Sequence, residues 1–484
     1  MDNSKSTIKN IFWKFSERFL AQLITLVVQI VLARFLNPKD FGTVALMTVV
    51  IQVLLIFVDS GLGNALIQKK DADELDFSSV FIFNIILGFF IYIIVYFTAP
   101  LIALFYNDES ITILLRVLAF SVIILGIKNV QQAYVCKTLQ FKDFFWATLG
   151  GTLTSAVVSI YMAFCGFGVW ALISQYMINI FIDTLVLWGI VKWRPKLVFS
   201  LKRLKVLLNY GYKLFISYLI DTLYNNLRQL IIGRVYSSAD LAFFDRGKQI
   251  PFVLIDNVDS SIDAVLFPVM SNVQDDANKV KKITQKAIKV SSYVITPMMF
   301  GFIVICDNFV SCILTNKWSP CVPYLRLFCL AFVFWPVHTA NLNAIKAMGR
   351  SDLFLKLEII KKTVGIILLL LTAWVSVYAM AISYLVSSFI SQFINSWPNK
   401  KIIHYSFYQQ IKDIFPTIIM SFIMGIVIFF VGEIDFPVGI TLVIQIIVGF
   451  FVYIIQSIII KCDSFFYFLN IIKDMKKYIS KLQF

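Results

Sequence analysis

Long stretches without a charged side chain dominate the hydrophobic pattern of this 484-residue chain, and the three longest cover residues 77–106, 144–182 and 363–399. A helix needs roughly 20 apolar residues to cross about 30 Å of hydrocarbon. Backbone N–H and C=O groups in lipid must be paired within their own segment, so such stretches must be helical. The pattern therefore predicts a polytopic α-helical membrane protein.

Two of these stretches are too long for a single crossing. Residues 144–182 would extend roughly 58 Å as one helix, nearly twice the thickness of the hydrocarbon core. We expect the chain to turn back at Gly166 and Gly168, because glycine allows a tight turn. Residues 363–399 are also too long, and we expect them to contribute to two helices.

Counted along the chain, the apolar stretches predict about fourteen transmembrane helices. Helix two is expected over residues 41–66 and helix eight over residues 250–270. No stretch between the helices is long enough to fold as a separate soluble domain. The chain is therefore expected to consist almost entirely of membrane-embedded helices.

One motif near the end of the first helix occurs twice. QIVLARFLNPKDFG at residues 29–42 matches QLIIGRVYSSADLA at residues 229–242, with Gln, Arg and Asp at equivalent positions. Further matches follow in the same order, and they pair residues 114–120 with 324–330, 141–145 with 350–354, and 168–172 with 376–380. Six helices per copy is an even number, so both copies enter the membrane from the same side as parallel repeats.

The predicted fold class is therefore an all-α polytopic membrane protein of two parallel six-helix repeats plus two C-terminal helices. We expect an N-terminal six-helix bundle at residues 1–199 and a C-terminal six-helix bundle at residues 200–400. Residues 401–484 are expected to add the two extra helices and a cytoplasmic tail. Membrane proteins built from such repeats are usually transporters that rock one bundle against the other, so the function is expected to lie between the bundles.

Composition excludes an ordinary soluble protein, because 59% of the residues are hydrophobic and the mean hydropathy is +0.82. The formal net charge of +15 fits Lys and Arg concentrated in cytoplasmic loops better than a nucleic-acid partner. With the N-terminus inside, most of these cations lie on the cytoplasmic side. We therefore expect a multi-pass membrane protein with both termini cytoplasmic.

Sequence motifs for catalysis are missing from the chain. It contains neither the GxxxxGK[ST] motif of a P-loop nor an HExxH or CxxC metal motif, and its seven cysteines are scattered through apolar segments. We therefore expect no catalytic residues, no cofactor and no metal. Transport without enzymatic activity is the favoured class of function.

Arg18 is the first candidate site residue, because a charged side chain inside a span is costly and usually faces a cavity or another helix. As a fixed cation in a cavity between the bundles, Arg18 would attract an anionic head group. Alternatively, it anchors the cytoplasmic end of the helix by snorkelling outward, or it pairs with the neighbouring Glu17.

Helix seven carries a second set of candidates. Asp221, Asn225 and Arg228 are spaced i, i+4 and i+7, so they share one helical face. A polar stripe in an apolar span indicates the wall of a wet cavity, and the alternative is a local ion pair between the bundles. Asn64 near the end of helix two is a further polar candidate for substrate binding.

Helix eight carries three carboxylates at the same kind of spacing, Asp256, Asp259 and Asp263. They either balance the arginines or take up a coupling proton or cation. The repeated Arg34 and Arg234 are interpreted as structural, because an arginine at a helix C-terminus interacts favourably with the carbonyls and the helix dipole.

Several motifs together resemble one family, the polysaccharide-biosynthesis flippases of the multidrug/oligosaccharidyl-lipid/polysaccharide exporter superfamily. The resemblance extends from Trp13 to about Pro398. It is carried by LARFLNPKDFG (32–42), DSGLGNALIQKKD (59–71), GFGVWAL (166–172), FPVMSNVQDD (267–276), TNKWSP (315–320) and GRSDLFLK (349–356). One departure is AFFDRG at residues 242–247, where the family tends towards Gly-Tyr-Tyr-Asn-Arg-Gly.

The resemblance implies a flippase that moves an undecaprenyl-pyrophosphate-linked oligosaccharide from the cytoplasmic to the periplasmic leaflet, for O-antigen, capsule or exopolysaccharide synthesis. A pyrophosphate in the membrane needs cations, and Arg18 and Arg228 are suited to that role. The expected partners are the lipid-linked oligosaccharide, membrane lipids, a glycan polymerase and glycosyltransferases, with no nucleic acid, and the chain is expected to act as a monomer.

Two other functions remain open from the sequence. One is an antiporter of drugs or of small molecules and cations from the same superfamily, which would need an acidic cavity for cations. The other is a non-transporting scaffold of a glycan-assembly complex, in which Arg18, Asp221 and Arg228 would be replaceable without loss of function.

Overall fold

The computed structural model describes residues 2–138 and 140–467, apart from the side chains of 2–12, 14, 15, 141, 257, 261, 264 and 265. Most of the described residues are helical, and none of them forms a β-strand. Packing divides the chain into two compact units with the boundary after Ala242. The expected cytoplasmic tail beyond residue 467 lies outside the described residues, and the predicted domain bounds at 199/200 and 400/401 stay predictions.

Eight helices belong to the first unit, which ends at Ala242. They are α1 (Asp2–Phe35), α2 (Pro38–Asp59), α3 (Leu62–Gln68), α4 (Glu74–Tyr106), α5 (Ser110–Thr138), α6 (Phe141–Phe164), α7 (Val169–Ile190) and α8 (Leu201–Val235). The core of this unit gathers fully buried Leu62, Leu66 and Leu187 around the ring of Trp193. The connection between α7 and α8 is fixed to α4, because Ser78 and Ser79 accept hydrogen bonds from the backbone N–H groups of Lys196 and Ser200 at 3.0 Å each.

Helix α9 (Ser238–Ser271) crosses the boundary, and the remaining helices belong to the second unit. They are α10 (Ala277–Phe309), α11 (Val322–Phe332), α12 (Trp335–Ala347), α13 (Ser351–Thr372), α14 (Val377–Ser396), α15 (Asn399–Ile402), α16 (Phe407–Gly432) and α17 (Val438–Ile459). A π-helical turn at Val310–Leu314 and a 3₁₀ turn at Asn316–Cys321 join α10 to α11. The core of this unit surrounds fully buried Met270, Val337 and Tyr405.

Eleven helical segments of the described residues are long and apolar enough to cross a membrane. The all-α polytopic fold class is therefore confirmed. Three more long helices, α8, α9 and α13, carry charged side chains along their length and are not among those eleven. The expected number of about fourteen requires all three to cross, and it stays a prediction.

The predicted hairpin between the fifth and sixth spans is confirmed. Helix α6 ends at Phe164 and α7 begins at Val169, and both glycines of the turn have positive φ, +81° at Gly166 and +55° at Gly168. This backbone conformation is readily adopted by glycine and is disfavoured for residues with a side chain. The two glycines therefore explain why the long apolar stretch turns at this position.

The second predicted helix is wrong as a single element, because the backbone breaks inside residues 41–66. Ser60 and Gly61 adopt left-handed φ angles of 46° and 68°, so the segment divides into α2 and α3. At the break the backbone of Gly61 meets that of Gly211, and a Cβ on Gly61 would lie 2.5 Å from the Gly211 carbonyl oxygen. Asp59, Ser60 and Gly61 interrupt the apolar residues here, and the Ser-Gly pair is a turn signal that the prediction did not use.

The eighth predicted helix, placed at residues 250–270, begins too late. Helix α9 starts at Ser238 and runs through Pro251 without interruption. Its start coincides with a capping interaction, because Asp240 Oδ2 accepts hydrogen bonds from the Ser237 backbone N–H at 3.2 Å and from the Ser237 hydroxyl at 2.6 Å. The capping residues therefore mark the start of the helix more accurately than the hydrophobic pattern.

The same interaction occurs in the first copy of the repeated motif. Asp40 Oδ2 accepts a hydrogen bond from the Asn37 backbone N–H at 3.1 Å, at the start of α2. A carboxylate at the third helical position that reaches back to the capping residue satisfies an N–H group that would otherwise lack a partner. Asp40 and Asp240 therefore cap the starts of α2 and α9 in the same way, so the repeated motif specifies a helix start in both copies.

The two copies of the motif also touch each other within the first unit. A Cβ on Gly42 would lie 1.6 Å from the carbonyl oxygen of Ser238. Together with the contact between Gly61 and Gly211, this gives α2 a backbone contact near each of its ends. We call these two contacts the glycine seam. Between them α2 packs along α8.

Candidate functional site

The structure assigns the predicted substrate-binding residues to the first unit. Arg18 lies on α1 with an exposed side chain, one residue after the half-buried Glu17. The Glu17 carboxylate accepts a hydrogen bond from the Thr148 hydroxyl of α6 at 3.1 Å. Glu17 is thereby connected to a neighbouring helix.

The three residues of the predicted polar stripe lie on α8 and differ in exposure. Arg228 is buried, with 7% of its surface exposed, whereas Asn225 is exposed and Asp221 is intermediate. On the same helix, the Asn226 amide donates hydrogen bonds to Gln52 Oε1 of α2 at 3.3 Å and to the Thr222 carbonyl at 2.9 Å. Arg228 is therefore a buried positive charge on a helix that contacts α2.

Asn64 lies on the short helix α3, apart from Arg228 in sequence but next to α8 in space. Its side-chain amide donates to the hydroxyl of Tyr218 at 3.4 Å, one turn before the stripe begins. Asn64 also lines a cavity of about 350 Å³ that contains Asp59, Asn129 and Gln132. Within this cavity Asp59 Oδ1 accepts a hydrogen bond from the Asn129 amide at 2.7 Å.

The three carboxylates of α9 belong to the second unit. Asp259 Oδ2 accepts hydrogen bonds from the Trp335 indole at 3.0 Å and the Thr339 hydroxyl at 2.9 Å, both on α12. Asp263 Oδ1 accepts one from the Asn343 amide at 2.6 Å. Two of the predicted carboxylates are therefore held by donors of one neighbouring helix, and Asp256 lies one turn before them.

A buried ion pair in the first unit was missed from the sequence. The Lys128 ammonium of α5 binds the Asp183 carboxylate of α7, with 9% and 11% of the two side chains exposed. The available signal was a lysine within the span of α5 and a single aspartate within the span of α7. Charges of opposite sign inside spans usually pair with one another, but the sequence alone does not identify the partners.

An apolar cavity of about 600 Å³ lies in the second unit between α10, α16 and α17. Its lining includes Pro297, Phe302, Met424, Ile428, Phe450 and Tyr453. The polar end of Tyr453 is already used, because its hydroxyl donates to the Tyr293 carbonyl at 2.9 Å. The cavity is therefore suited to a hydrocarbon chain and poorly suited to a sugar or a phosphate.

One charged cluster connects the start of α4 to the start of α8. Arg203 binds Asp73 at 2.7 Å and Asp76 at 3.4 Å, and Lys69 binds Asp76 at 2.6 Å. The Asp76 backbone N–H and then the Arg203 guanidinium hold the pKa of Asp73 below its usual value. These interactions fix the end of the first unit where α3 and the cavity of Asn64 are located.

The repeated arginines differ from the other candidates. The Arg234 guanidinium lies 4.9 Å from the centre of the Phe105 ring, within the first unit. A guanidinium over an aromatic face is stabilised by the ring quadrupole. This contact supports the interpretation of Arg234 as a structural residue.

The comparisons with known proteins agree with one another. A family model described as "Polysaccharide biosynthesis protein" matches residues 31–323. The lipopolysaccharide biosynthesis protein WzxC of Escherichia coli K12 is 24% identical over 88% of this chain and 89% of its own length. The teichuronic acid biosynthesis protein TuaB of Bacillus subtilis 168 is 25% identical over 77% of this chain and 78% of its own.

Solved structures share the fold at lower identity. The inward closed conformation of the lipid II flippase MurJ covers 92% of this chain and 98% of its own, with a TM-score of 0.76 and 16% identity. An inward-facing MATE multidrug transporter of the MOP superfamily covers 79% of this chain and 94% of its own, with a TM-score of 0.64 and 16% identity. At this level of identity the likeness shows the fold alone.

Proposed function

Because the chain belongs to the polysaccharide biosynthesis protein family, we propose that it is a flippase for a lipid-linked oligosaccharide. It would carry an undecaprenyl-pyrophosphate-linked glycan from the cytoplasmic to the periplasmic leaflet by alternating access. The observation that carries this proposal is the family match over residues 31–323. The product would enter O-antigen, capsule or exopolysaccharide synthesis.

The charge of the substrate explains the proposed role of two arginines. A pyrophosphate taken out of water is prohibitively unstable unless cations and hydrogen-bond donors replace its hydration. Arg18 offers an exposed guanidinium on α1, and Arg228 offers a buried one on α8. Asp221 and Asn225 share the helical face of Arg228 and would contact the neighbouring groups of the substrate.

The lipid part of the substrate needs an apolar environment. The cavity between α10, α16 and α17 supports this part of the proposal, because its lining is almost wholly hydrocarbon and aromatic. Burial of each methylene contributes about 0.8 kcal/mol, so a polyprenyl chain is retained there or in the surrounding lipid. The sugars and the pyrophosphate are the parts of the substrate that must cross through a polar environment.

For the energy source we propose the carboxylates of α9. Asp259 and Asp263 are held by donors from α12, and each could exchange its charge when a proton or cation binds. Together with Asp256 they would couple transport to an ion gradient. A membrane potential contributes about 2.3 kcal/mol per charge and 100 mV, so a single coupled ion suffices to bias the direction of transport.

The cellular setting follows from the proposed substrate. The protein would be a non-enzymatic monomer of the bacterial inner membrane, with both termini cytoplasmic. It would receive its substrate from glycosyltransferases and pass it on to a glycan polymerase. Neither of these partners has to bind the transporter stably, since the lipid-linked oligosaccharide itself connects the steps.

The test replaces Arg18→Ala and Arg228→Ala in cells that depend on this gene for their surface polysaccharide. We expect polymer to be lost while both variants reach the membrane in normal amounts, and Arg18→Lys to retain part of the activity. Arg350→Ala is the matched control, because Arg350 is exposed and already bound to Asp352. Wild-type polymer from both alanine variants at normal protein levels would refute the proposed site.

A drug antiporter or a scaffold would give different results in the same cells. Deletion of an antiporter would change the sensitivity of the cells to cationic drugs and leave polymer synthesis intact. A scaffold would tolerate Arg18→Ala and Arg228→Ala but would fail when the whole chain is removed. Accumulation of lipid-linked glycan on the cytoplasmic side is the result expected only of a flippase.

A further inference from the structure

A polar cavity of about 350 Å³ in the first unit has neither Arg18 nor Arg228 in its lining. It is formed by the end of α2, the short helix α3 and the C-terminal half of α5. Four of its lining side chains are polar, and they are Asp59, Asn64, Asn129 and Gln132. On the expected topology this cavity lies near the cytoplasmic end of the unit, where a substrate made in the cytoplasm arrives.

The polar groups of the cavity are positioned by the fold. Asp59 Oδ1 accepts a hydrogen bond from Asn129 at 2.7 Å, across 70 residues of sequence. Asn64 is positioned by its contact with the Tyr218 hydroxyl at 3.4 Å. Each amide offers both a donor and an acceptor, and the carboxylate offers two strong acceptors. The set matches a ligand that presents several hydroxyl groups close together.

Charge decides against a phosphate in this cavity. Its lining contains one carboxylate and, among the described residues, no Lys, Arg or His. The neighbouring Lys128 is bound to Asp183 and is therefore not directed to a ligand here. An anion would meet the negative charge of Asp59 without a compensating cation, whereas a neutral or amino sugar would not.

Size decides against a bare metal cation. A hard cation such as Ca²⁺ binds six to eight oxygens at about 2.3–2.6 Å, which requires a contracted site. A volume of about 350 Å³ instead falls in the range of small-molecule pockets, about 300–1,000 Å³. Within the described residues, moreover, no group of three or more His, Cys, Asp and Glu side chains is arranged to hold a metal.

Gly63 keeps this cavity open. A Cβ at Gly63 would lie 3.1 Å from Asn129 Oδ1 and 3.2 Å from Asp59 Oδ1, tighter than most van der Waals contacts. A methyl group there would press on the two side chains that form the central hydrogen bond. The substitution Gly63→Ala would therefore narrow the cavity without removing any polar group.

We propose that this cavity binds a neutral or amino sugar of the transported lipid-linked glycan, with Asp59 and Asn129 as its principal hydrogen-bonding residues. This inference rests on the proposed function and separates the substrate into two parts. The pyrophosphate is bound by arginines, and a sugar is bound by a carboxylate and amides. Glycan selectivity would then depend on α2, α3 and α5.

The experiment compares two lipids on the purified full-length chain. One is the undecaprenyl-linked glycan extracted from the cells that carry this gene, and the other is undecaprenyl pyrophosphate without sugar. Binding is measured by native mass spectrometry for the wild type and for Asp59→Asn, Asn129→Ala and Gly63→Ala. Gly189→Ala is the matched control, because a Cβ at this helical glycine meets nothing within 4 Å.

We expect each of the three cavity variants to bind the glycan-bearing lipid about tenfold more weakly, as expected for a lost hydrogen bond to a charged group or a comparable steric conflict. Binding of undecaprenyl pyrophosphate should not change, and Gly189→Ala should match the wild type for both lipids. Equal weakening of both lipids, or no weakening of either, would overturn the sugar site alone. Failure of the wild type to bind either lipid would overturn the proposed function itself.

Discussion

Lys128 of α5 and Asp183 of α7 bind each other in the interior of the first unit. The pair is buried on both sides, so neither charge can be solvated when the other is removed. We predict that Lys128→Met lowers the free energy of unfolding by about 3–5 kcal/mol, because it leaves the Asp183 carboxylate buried without its cation. Chemical unfolding in mixed micelles measures the loss.

The double variant Lys128→Met with Asp183→Leu is the control for this prediction. Replacing both charges by apolar groups of similar volume should recover most of the lost stability. Arg350→Met removes one partner of an exposed pair with Asp352 and should leave stability unchanged. A double variant as unstable as Lys128→Met would show that packing, rather than charge, explains the loss.

The glycine seam predicts that Gly42 tolerates no side chain. In Gly42→Ala the new methyl group would stand 1.6 Å from the Ser238 carbonyl oxygen, which is part of the backbone and cannot rotate away. We expect a loss of about 1–3 kcal/mol, the usual effect of overpacking. The thermal midpoint in detergent measures it, with Gly189→Ala as the control. Equal midpoints for the two alanine variants would contradict the close approach.

The cluster around Asp73 predicts a pH dependence of stability. Folding lowers the pKa of this carboxyl below its usual value, through the Asp76 backbone N–H and the Arg203 guanidinium. The ionised Asp73 carboxylate therefore stabilises the fold fully at any pH above its pKa in the unfolded chain. This stabilisation is lost as the pH falls through its lower pKa in the folded protein. Removing the helix cap in Asp73→Ala should cost about 1 kcal/mol at neutral pH.

The measurement compares thermal midpoints of the wild type and Asp73→Ala between neutral pH and about pH 3. The two midpoints should differ at neutral pH and converge as the medium becomes acidic. A difference that grows towards low pH would have the wrong sign for a carboxyl with a lowered pKa.

Asp259 provides a fourth prediction, which concerns coupling. Asp259→Asn keeps an acceptor oxygen for Trp335 and Thr339 but removes the exchangeable charge. We expect normal amounts of folded protein and loss of surface polymer, measured in the deletion strain. Asp275→Asn, at an exposed position before α10, is the control and should behave as the wild type. Full activity of Asp259→Asn would exclude this carboxyl as the coupling group.

The fold could be predicted from the sequence where neighbouring residues alone determine the local structure. Long apolar stretches required helices, and Gly166 and Gly168 marked a turn within one of them. The break at Gly61 was missed because residues 41–66 were interpreted as one apolar helix, although Asp59, Ser60 and Gly61 interrupt the apolar residues. At the break the backbone of Gly61 also meets the distant backbone of Gly211. Local patterns could not reveal a contact between residues so far apart in sequence.

The same limit applies to the candidate sites. Helical periodicity correctly grouped Asp221, Asn225 and Arg228 on one helix, since spacing along a helix is a local property. It could not identify the donors of Asp259 on α12 or the pairing of Asp59 with Asn129, because these contacts join residues that are 70 or more positions apart. Only tertiary packing brings those residues together.

The two contacts of the glycine seam consist of main-chain atoms on both sides. No rotamer has to be selected when such surfaces meet, so separation and renewed contact would lose no side-chain entropy. A surface of this kind can part and close many times in the same register, as a transport cycle demands. The glycines at positions 42, 61 and 211 would thus allow the helices to return to the same contact after each movement, in addition to allowing them to pack closely.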